Sequence, residues 1–433
     1  MQRQLGGFES AEAWTGASFP YNAVSVLQLA GRPAEQVLES ALAEVQRLHP
    51  LLRSRLVREG SRWRFETAPG AVPLRRVERR NDDHWRQVVE EELNHQMDMA
   101  TAPLVRCCLL ASPVDGEASE IVLSFHHAIA DVASVATVFR QLLTICGGGA
   151  VGGMGGGTET ADRLPPAPET RFPARFRGLS RYPALAAFMA RQMAEEVGYL
   201  WRSRGLRSAV PAGSARCRIL SMALGEAATK ALVRRCRRQR VPVNSALNAA
   251  LLLAVQRHRY AGRPLPLRYF AFPDLRPYLE PPMEPETVVS CLTTMRFTIG
   301  LGAEERFWQL AQRIGRQLYD SFRRGEKFLF CMTSTGILRM LIRFGRMRFG
   351  SAAVSYSGPL EFPSAFGELG VLGMHGFVSN MPIGAELVGQ ARLFRGRLCW
   401  DFVYLDADMD ETGARSLVAD IQKQLEEAAD ERD

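Results

Sequence analysis

The sequence has few histidines and no long apolar run. Only seven of its 433 residues are histidine. The longest unbroken apolar run, AALLLAV at 249–255, is far shorter than the roughly 18 to 20 residues that a membrane-spanning helix needs. The first residues, MQRQLGGFESAEAW, contain no apolar stretch of the kind that forms a secretion signal. We therefore expect a cytoplasmic protein.

The eight cysteines form no CxxC pair and have no regular spacing. They stand at positions 107, 108, 146, 217, 236, 291, 331 and 399. Most have apolar neighbours, so we expect reduced thiols in the core of a protein from a reducing compartment. The HExxH pattern of zinc proteases and the GxSxG pattern of serine hydrolases are also missing.

Composition indicates a globular protein with a surplus of positive charge. Hydrophobic residues make up 46% of the chain and charged residues 23%, and the length predicts roughly two or three domains. The net charge of +8 favours anionic partners: phosphates, acidic carrier proteins, anionic lipids or nucleic acid. No pattern of basic and aromatic residues typical of nucleic-acid recognition is present, so we expect no nucleic-acid partner.

The chain divides into two mixed α/β halves, 1–145 and 215–433, joined by a connector over 146–214. In the first half the pattern predicts a strand at 22–31, a helix from Pro33, and strands on either side of a turn at 58–61. The connector begins with a Gly-rich and then Pro-rich stretch. It contains a GxGxxG match at Gly147, Gly149 and Gly152, which we discount because it follows a predicted helix instead of a strand.

Helices and strands also alternate in the second half. We predict a helix at 225–239, a helix capped by Asn244, a strand at 264–277 and a longer strand at 287–299. Two helices follow, at 303–325 and 330–345, then three strand-like segments and a terminal helix from Glu411.

A pair of histidines ends an apolar strand in the segment IVLSFHHAIAD, at 121–131. Because successive side chains on a strand point to opposite faces, His126 and His127 cannot both line one cleft. An imidazole titrates near neutral pH and can take a proton from a hydroxyl or an amine. Three alternatives stay open at this point. The pair can be ordinary core or surface residues, His127 and Asp131 can be two metal ligands without a recognisable third, or a hydrolase triad can exist without its usual elbow.

His126, His127 and Asp131 form an HHxxxD motif, and the sequence resembles the superfamily of acyl-thioester-dependent acyltransferases. That superfamily includes nonribosomal peptide synthetase condensation domains, polyketide-associated acyltransferases, alcohol acetyltransferases and wax ester synthases. Other segments resemble it in the same order along nearly the whole chain. They are LHPLLRSRL (48–56), HQMDMATAPLVRCCLL (95–110), VPVNSALNAALLLAV (241–255), AFPDLRPYL (271–279), TVVSCLTTM (287–295) and FVSNMPIG (377–384).

The resemblance implies an α/β protein of two chloramphenicol-acetyltransferase-like lobes, arranged as a V around a central tunnel. His127 would act as general base or position the nucleophile, and an acyl group would pass from a thioester to a hydroxyl or amine. The donor would be coenzyme A or the phosphopantetheine of a carrier protein. The acceptor would be an alcohol or amine, including lipid-like ones, with no permanently bound cofactor and no metal. Without an attached adenylation or carrier segment, we expect a standalone enzyme acting in trans, and a monomer.

Supporting roles follow from the same resemblance. Asp131 would be structural and pair with an arginine of the second half, for which Arg276 in the DLRP segment is the best match. His126 would support the motif. Oxyanion or substrate contacts would come from polar side chains placed by position in the sequence, namely Ser134, Ser355, Ser357, Ser379 and Asn380.

Two features depart from the superfamily or go beyond its motifs. Val132 stands where a glycine usually follows the motif aspartate, which predicts a different loop geometry and leaves room for a non-catalytic relative that serves as a recruitment platform. The segment ILRMLIRFGRMRFG (337–350) places Arg339, Arg343 and Arg346 among large apolar residues. It could contact a membrane or an acidic carrier protein, although packing on the core is the commoner role of such a helix.

Overall fold

The computed structural model describes residues 1–112, 118–151, 163–203, 215–345 and 348–430. The chain folds into two compact units. The first unit contains residues 1–172, 274–292 and 361–379, and the second contains the rest, with ranges 173–273, 293–360 and 380–433. Each unit is therefore assembled from separate stretches of the chain.

The described part of the chain contains ten α-helices and fifteen strands. The helices are α1 (Gly7–Gly16), α2 (Glu35–Leu48), α3 (His84–Asn94), α4 (Val132–Cys146), α5 (Arg181–Arg202), α6 (Glu226–Arg238), α7 (Val243–Tyr260), α8 (Phe307–Arg323), α9 (Glu326–Phe344) and α10 (Glu411–Asp430). The strands are β1 (Gln2–Gln4), β2 (Asn22–Ala30), β3 (Ser54–Glu59), β4 (Arg62–Thr67), β5 (Leu74–Glu78), β6 (Val105–Ala111), β7 (Ser119–His126), β8 (Cys217–Leu224), β9 (Leu265–Ala271), β10 (Met295–Leu301), β11 (Ala352–Pro359), β12 (Ala365–Phe366), β13 (Leu369–Val378), β14 (Leu387–Phe394) and β15 (Arg397–Leu405).

The first unit is built around a six-stranded sheet in the order β12-β13-β2-β7-β6-β5. β2 and β7 lie in the middle, are almost entirely buried, and pair antiparallel with Asn22 opposite His126. Continuous apolar runs of this kind are expected where both faces of a strand are covered. A smaller sheet, β1-β4-β3, completes the unit. The last strand of the chain to join this sheet, β13, pairs with β2 from more than 300 residues away.

The second unit contains a six-stranded sheet in the order β10-β9-β11-β14-β15-β8. Its central pairs, β9 with β11 and β11 with β14, are parallel, and its remaining pairs are antiparallel. α7 supplies much of the packing, because residues 245 to 256 of this helix are all buried. The α/β class with two lobes, each a sheet with helices, is confirmed.

The residues that make up the two units differ from the predicted halves, 1–145 and 215–433. Residues 274–292 and 361–379, which lie in the predicted second half, belong to the first unit. The predicted connector, 146–214, contains the 22-residue helix α5, for which we had assigned no helix. Gly152 of the GxGxxG match and parts of the connector, 152–162 and 204–214, lie outside the described residues, as does Arg346.

Three local predictions differ from the structure. The segment 287–299 was expected to be one strand, but β10 begins only at Met295 and the preceding residues form a loop. Asn244 does not cap α7, since the cap position is Pro242, and the Asn244 side-chain oxygen instead accepts a hydrogen bond from Asn248 Nδ2 at 3.1 Å. The strand predicted before the turn at 58–61, over residues 49–57, begins as a 3₁₀ turn, Pro50–Arg53, and β3 follows it.

The eight cysteines are free thiols, as predicted, and six of them are buried. Among the helices in the described ranges, none is both long and apolar enough to cross a membrane.

Candidate active site

The two neighbouring histidines occupy different environments at the end of β7. His126 is the last residue of the strand and is 1% exposed. Its Nδ1 accepts a hydrogen bond from the Ala128 N–H at 3.2 Å, so the proton of the neutral ring is on Nε2. Burial, with a smaller contribution from neighbouring His127, lowers the pKa of His126 to about 3. This ring is therefore neutral and part of the packing.

Gly16 at the end of α1 leaves space for the His126 ring. A Cβ atom built on Gly16 would lie 2.1 Å from His126 Nε2, far inside the distance that two such atoms tolerate. The backbone of Gly16 does not adopt a positive φ. Glycine is thus required at this position for its lack of a side chain and not for its conformational freedom.

The ring of His127 is held in one orientation. Nδ1 lies 3.1 Å from the Ala130 carbonyl oxygen, which can only accept, so the proton of the neutral ring is on Nδ1. The Tyr21 ring stacks on the imidazole with 5.2 Å between centroids. Among the residues described, no side chain or backbone group forms a hydrogen bond to Nε2, and 10% of the His127 side chain is exposed. Nε2 therefore presents a lone pair that can accept a proton.

Burial lowers the pKa of His127 below its ordinary value, although the nearby Asp131 carboxylate and the Ala130 carbonyl oppose this shift. The imidazole is consequently neutral at pH 7. A neutral ring with its proton fixed on Nδ1 has the protonation state that a general base requires.

A buried carboxyl group lies behind the His127 ring. Glu12 Oε1 is 3.3 Å from His127 Nδ1 and accepts a hydrogen bond from Ser290 Oγ at 3.1 Å. Glu12 Oε2 is buried and has no hydrogen-bond partner among the described residues. Burial raises the pKa of Glu12 well above its ordinary value, and the charges of Glu9 and Asp131 raise it further. The hydrogen bond from Ser290 opposes this shift, and the net effect favours the neutral carboxyl group over the carboxylate.

The Asp131 carboxylate anchors the turn that follows His127 through several hydrogen bonds. It accepts hydrogen bonds from Arg276 Nη1 at 2.6 Å and Arg276 Nη2 at 3.0 Å. It also accepts from the Ser134 N–H and hydroxyl, at 3.0 and 2.9 Å, and from the Cys291 N–H at 2.9 Å. Burial alone would raise the pKa of Asp131, but Arg276 and these N–H groups hold it below its ordinary value. The carboxylate is charged, buried and fully paired.

Arg276 connects the loop 274–292 to this carboxylate. Its Nη2 also donates to the carbonyl oxygens of Thr287 and Val289, both at 3.0 Å, and its Nη1 lies 3.2 Å from Asp274. The ion pair that the resemblance implied is present, and it is bidentate. The same loop supplies Ser290 to Glu12 and Cys291 to Asp131, so it supports the histidine from two sides.

Val132 causes no distortion where a glycine was expected. It is the first residue of α4, follows the N-cap residue Asp131, and is not among the described residues with positive φ. Its side chain is 40% exposed. The helical backbone at this position accepts a β-branched residue, so the departure from the motif leaves the loop intact.

The side chains predicted to contact an oxyanion or the substrate are mostly occupied by protein partners. Ser134 is fully buried and is bonded to Asp131 and Val289. Ser379 donates to the Leu93 carbonyl oxygen at 2.7 Å. Asn380 donates to the Ala385 carbonyl oxygen at 2.9 Å and accepts from the Met381 N–H.

The polar atoms of Ser134, Ser379 and Asn380 thus hold the chain in this structure, and a role as oxyanion donors stays a prediction. Ser355 and Ser357 lie on β11 in the second unit, where Ser357 donates weakly to the Ala391 carbonyl oxygen at 3.4 Å. For these two serines the role stays a prediction.

The sequence analysis missed Glu12, Tyr21 and Ser290. Glu12 lies in FESAEAW, where a second acid, Glu9, is three residues earlier on the same helix. Both are buried, at 2% and 1% exposed. Acids on a short helix usually face water, so no feature of the sequence distinguishes this pair from surface residues.

Comparison with known proteins agrees with the geometry. The family model "Condensation domain" matches residues 11–153, and the model "Phthiocerol/phthiodiolone dimycocerosyl transferase C-terminus" matches residues 213–391. The resemblance to this superfamily is thereby confirmed, because an early and a later part of the chain match models of two of its members. No curated protein matches the chain significantly in sequence.

Solved structures with the same fold include proteins of several kinds. Polyketide synthase associated protein 5 from Mycobacterium tuberculosis is 18% identical with a TM-score of 0.67, over 100% of this chain and 98% of its own. TRI3 trichothecene 15-O-acetyltransferase from Fusarium sporotrichioides is 12% identical with a TM-score of 0.79, over 99% and 95%. The first condensation domain of the CDA synthetase is 15% identical with a TM-score of 0.69, over 99% and 97%. At these identities the similarity establishes the fold.

Proposed function

We propose that this protein is an acyltransferase that moves an acyl group from a thioester to a hydroxyl or amine acceptor. The observation that carries the proposal is the state of His127: a neutral ring, with its proton fixed on Nδ1 by the Ala130 carbonyl oxygen and with Nε2 free of hydrogen bonds to the described residues. The superfamily includes acyltransferases, which supports the same conclusion.

In the proposed reaction, His127 Nε2 takes the proton of the acceptor O–H or N–H as the acceptor atom attacks the thioester carbonyl carbon. The resulting tetrahedral intermediate collapses with cleavage of the C–S bond. The sulfur leaves as a thiolate and receives the proton from the imidazolium, which regenerates the neutral ring. Acceptor and thioester are thus converted into an ester or amide and a free thiol, with no oxidant or further reactant.

Glu12 is proposed to position His127 and to stabilise its protonated form. When Nε2 gains a proton, the positive charge spreads over the ring and strengthens every hydrogen bond that Nδ1–H donates. Glu12 Oε1, at 3.3 Å, offers a second acceptor beside the Ala130 carbonyl oxygen. Burial raises the pKa of Glu12 and so favours its neutral form, which can accept this hydrogen bond without raising the resting pKa of His127 as a buried carboxylate would.

Asp131 is proposed to act through structure. Its oxygens are occupied by Arg276, Ser134 and Cys291, so none is available to accept a proton from substrate. The ion pair between Asp131 and Arg276 instead fixes the turn between β7 and α4, and this turn sets the direction of the His127 ring. For the same reason Asp131, one of the two candidate metal ligands, has no oxygen left to bind a metal ion.

The test uses thiol release. Acetyl, octanoyl and palmitoyl coenzyme A, and the same acyl groups on a phosphopantetheinylated carrier protein, are each incubated with the protein and with octanol or octylamine. We expect acceptor-dependent release of thiol, with ester or amide identified by mass spectrometry, and comparison of the two donor types separates coenzyme A from carrier-protein dependence. If no donor gives more product than the His127→Ala variant, the proposed activity is contradicted and the platform alternative gains support.

A further inference from the structure

The second unit exposes a large apolar surface along α5. The exposed large hydrophobic side chains of the described residues are concentrated in two segments, 179–201 and 340–344. The most exposed members are Leu179 at 83%, Trp201 at 69%, Phe344 at 68%, Met193 at 61% and Val197 at 59%. Contiguous apolar surfaces on soluble proteins usually mark an interaction site.

The outward face of α5 is apolar because its acids turn inward. Phe188 packs on Phe330 of α9, with ring centroids 4.8 Å apart, and the Glu196 carboxylate pairs with Arg268 and Arg296 at 2.6 and 2.8 Å. The opposite face carries exposed apolar side chains at helical spacing, namely Met189, Met193, Val197 and Leu200. Only Phe188 and Tyr199 of this helix are buried, so most of its apolar side chains stay on the outer face.

α9 extends the same kind of surface. Phe188 of α5 meets Phe330, and Arg191 of α5 pairs with Glu326 at 2.7 Å, so the two helices run in opposite directions. The first turns of α9 are buried, whereas residues 332–344 are all at least partly exposed. This second half contains no acid, and its charged residues are Arg339 and Arg343.

The charges around this surface are of one sign. Arg175, Arg177, Arg191 and Arg202 are exposed in or beside α5, and Arg343 is exposed in α9. None of the acids of the two helices is fully exposed: Glu195 is partly buried, Glu196 pairs with arginines of the sheet, and Glu326, which is buried, pairs with Arg191 and Arg324. Aromatic side chains with a polar group, Tyr182 and Trp201, stand near the two ends of α5. Such residues favour the boundary between water and hydrocarbon.

We propose that α5 and residues 332–344 of α9 form a docking surface for an anionic lipid membrane, with α5 lying in the plane of the interface. At a rise of about 1.5 Å per residue, α5 presents a face about 33 Å long. Apolar side chains enter the boundary between headgroups and acyl chains, and arginines contact the anionic headgroups. The proposal rests on residues of the second unit only, so it is independent of the assignment of His127.

Binding to vesicles tests the proposal. The full-length protein is mixed with two kinds of vesicle. One contains phosphatidylcholine alone, and the other contains phosphatidylcholine with about 30% of the anionic lipid phosphatidylglycerol. We expect sedimentation with the anionic vesicles, a smaller amount with the neutral ones, and weaker binding at high salt. Trp201 is the one exposed tryptophan of the six, all of which lie in the described ranges, so its emission should shift to shorter wavelength on binding. Loss of that shift in Trp201→Phe assigns it.

Two variants and a matched control locate the surface. The double variant Met193→Gln/Val197→Gln should lower binding to anionic vesicles at least tenfold. The double variant Arg202→Gln/Arg343→Gln should lower this binding by a similar factor at low salt. Tyr319→Gln, a change at a tyrosine 62% exposed on α8, should leave binding unchanged. Unaltered melting temperatures and thiol release show that the variants fold.

Three results would overturn the proposal. They are no binding of the natural protein to anionic vesicles, binding that all variants retain, and self-association without lipid that the Met193/Val197 double variant abolishes. The last result would assign the surface to a second copy of the chain.

Discussion

The guanidinium of Arg276 makes a bidentate ion pair with the carboxylate of Asp131, 145 residues earlier in the chain. Both side chains are buried, at 3% and 5% exposed. This pair joins the loop 274–292 to the turn that presents His127, within one compact unit. The orientation of the proposed base therefore depends on a contact that forms only when distant parts of the chain have folded together.

Removal of the Asp131 carboxylate should destabilise the protein. Asp131→Ala leaves the Arg276 charge buried without its partner, at a cost of about 3–5 kcal/mol in the free energy of unfolding. Denaturant unfolding followed by circular dichroism measures the loss, and thiol release should fall with it. Asp82→Ala removes the carboxylate of a surface pair, since Asp82 is 96% exposed beside Arg79, and should give no measurable change. A variant Asp131→Ala that is inactive but as stable as the natural protein would contradict the structural role.

A methyl group on Gly16 should displace His126. Gly16→Ala places a carbon where the ring nitrogen of His126 now lies, and overpacking of this kind costs about 1–3 kcal/mol. The melting temperature should fall, and the turn that carries His127 should be disturbed with it. Gly336→Ala in α9 is the matched control, because nothing lies within 4 Å of its added Cβ. That variant should be as stable as the natural protein or slightly more so.

The variant Glu12→Gln should keep most of the catalytic activity, whereas Glu12→Leu should lose much of it. If Glu12 acts as a neutral acceptor for Nδ1–H of protonated His127, Glu12→Gln preserves the acceptor oxygen and most of kcat. Glu12→Leu removes it and should lower kcat roughly tenfold, equivalent to about 1.4 kcal/mol of transition-state stabilisation, with little change in KM. Comparable melting temperatures exclude misfolding. Equal activity of the two variants would show that Glu12 does not participate, and a severe loss in Glu12→Gln would indicate an essential anionic carboxylate.

Activity should persist to unusually low pH. Only neutral His127 can accept the acceptor's proton, so activity is present above its pKa in the folded protein and is lost as pH falls through that value. Burial holds the pKa of His127 below its ordinary 6.5. The acid limb of kcat/KM, which reports the free enzyme, should therefore have its midpoint below pH 6.5. A midpoint at or above 6.5 would show that the ring is more solvated, or closer to a negative charge, than the structure indicates.

The sequence predicted the central elements well because their patterns are local. The apolar run of β7 and the alternation that separates His126 from His127 can be read within ten residues. The partner of Asp131 was found through resemblance to the superfamily. Its geometry, with Ser134 and Cys291 as further donors, depends on folded contacts that no local pattern encodes.

The parts that could not be predicted have non-local causes. Glu12 and Ser290 are 278 residues apart, and burial of an acid cannot be seen from its neighbours in sequence. The β-branched residues of 287–294 predicted a strand, but the backbone groups of Val289 and Cys291 bond to the side chains of Ser134 and Asp131 instead of to another strand. In α5 the acids are partly buried whereas most of the large apolar side chains are exposed, which departs from the usual pattern.

The measurement that tests the account most directly is thiol release by His127→Ala, with His95→Ala as the control that removes an exposed imidazole. General-base assistance typically contributes about 100- to 10,000-fold, so kcat of His127→Ala should fall by that factor while its melting temperature stays within a few degrees of the natural protein's. His95→Ala should keep full activity. Equal turnover by His127→Ala and the natural protein, with the donor and acceptor that the natural protein uses, would contradict the central claim that this imidazole receives the acceptor's proton.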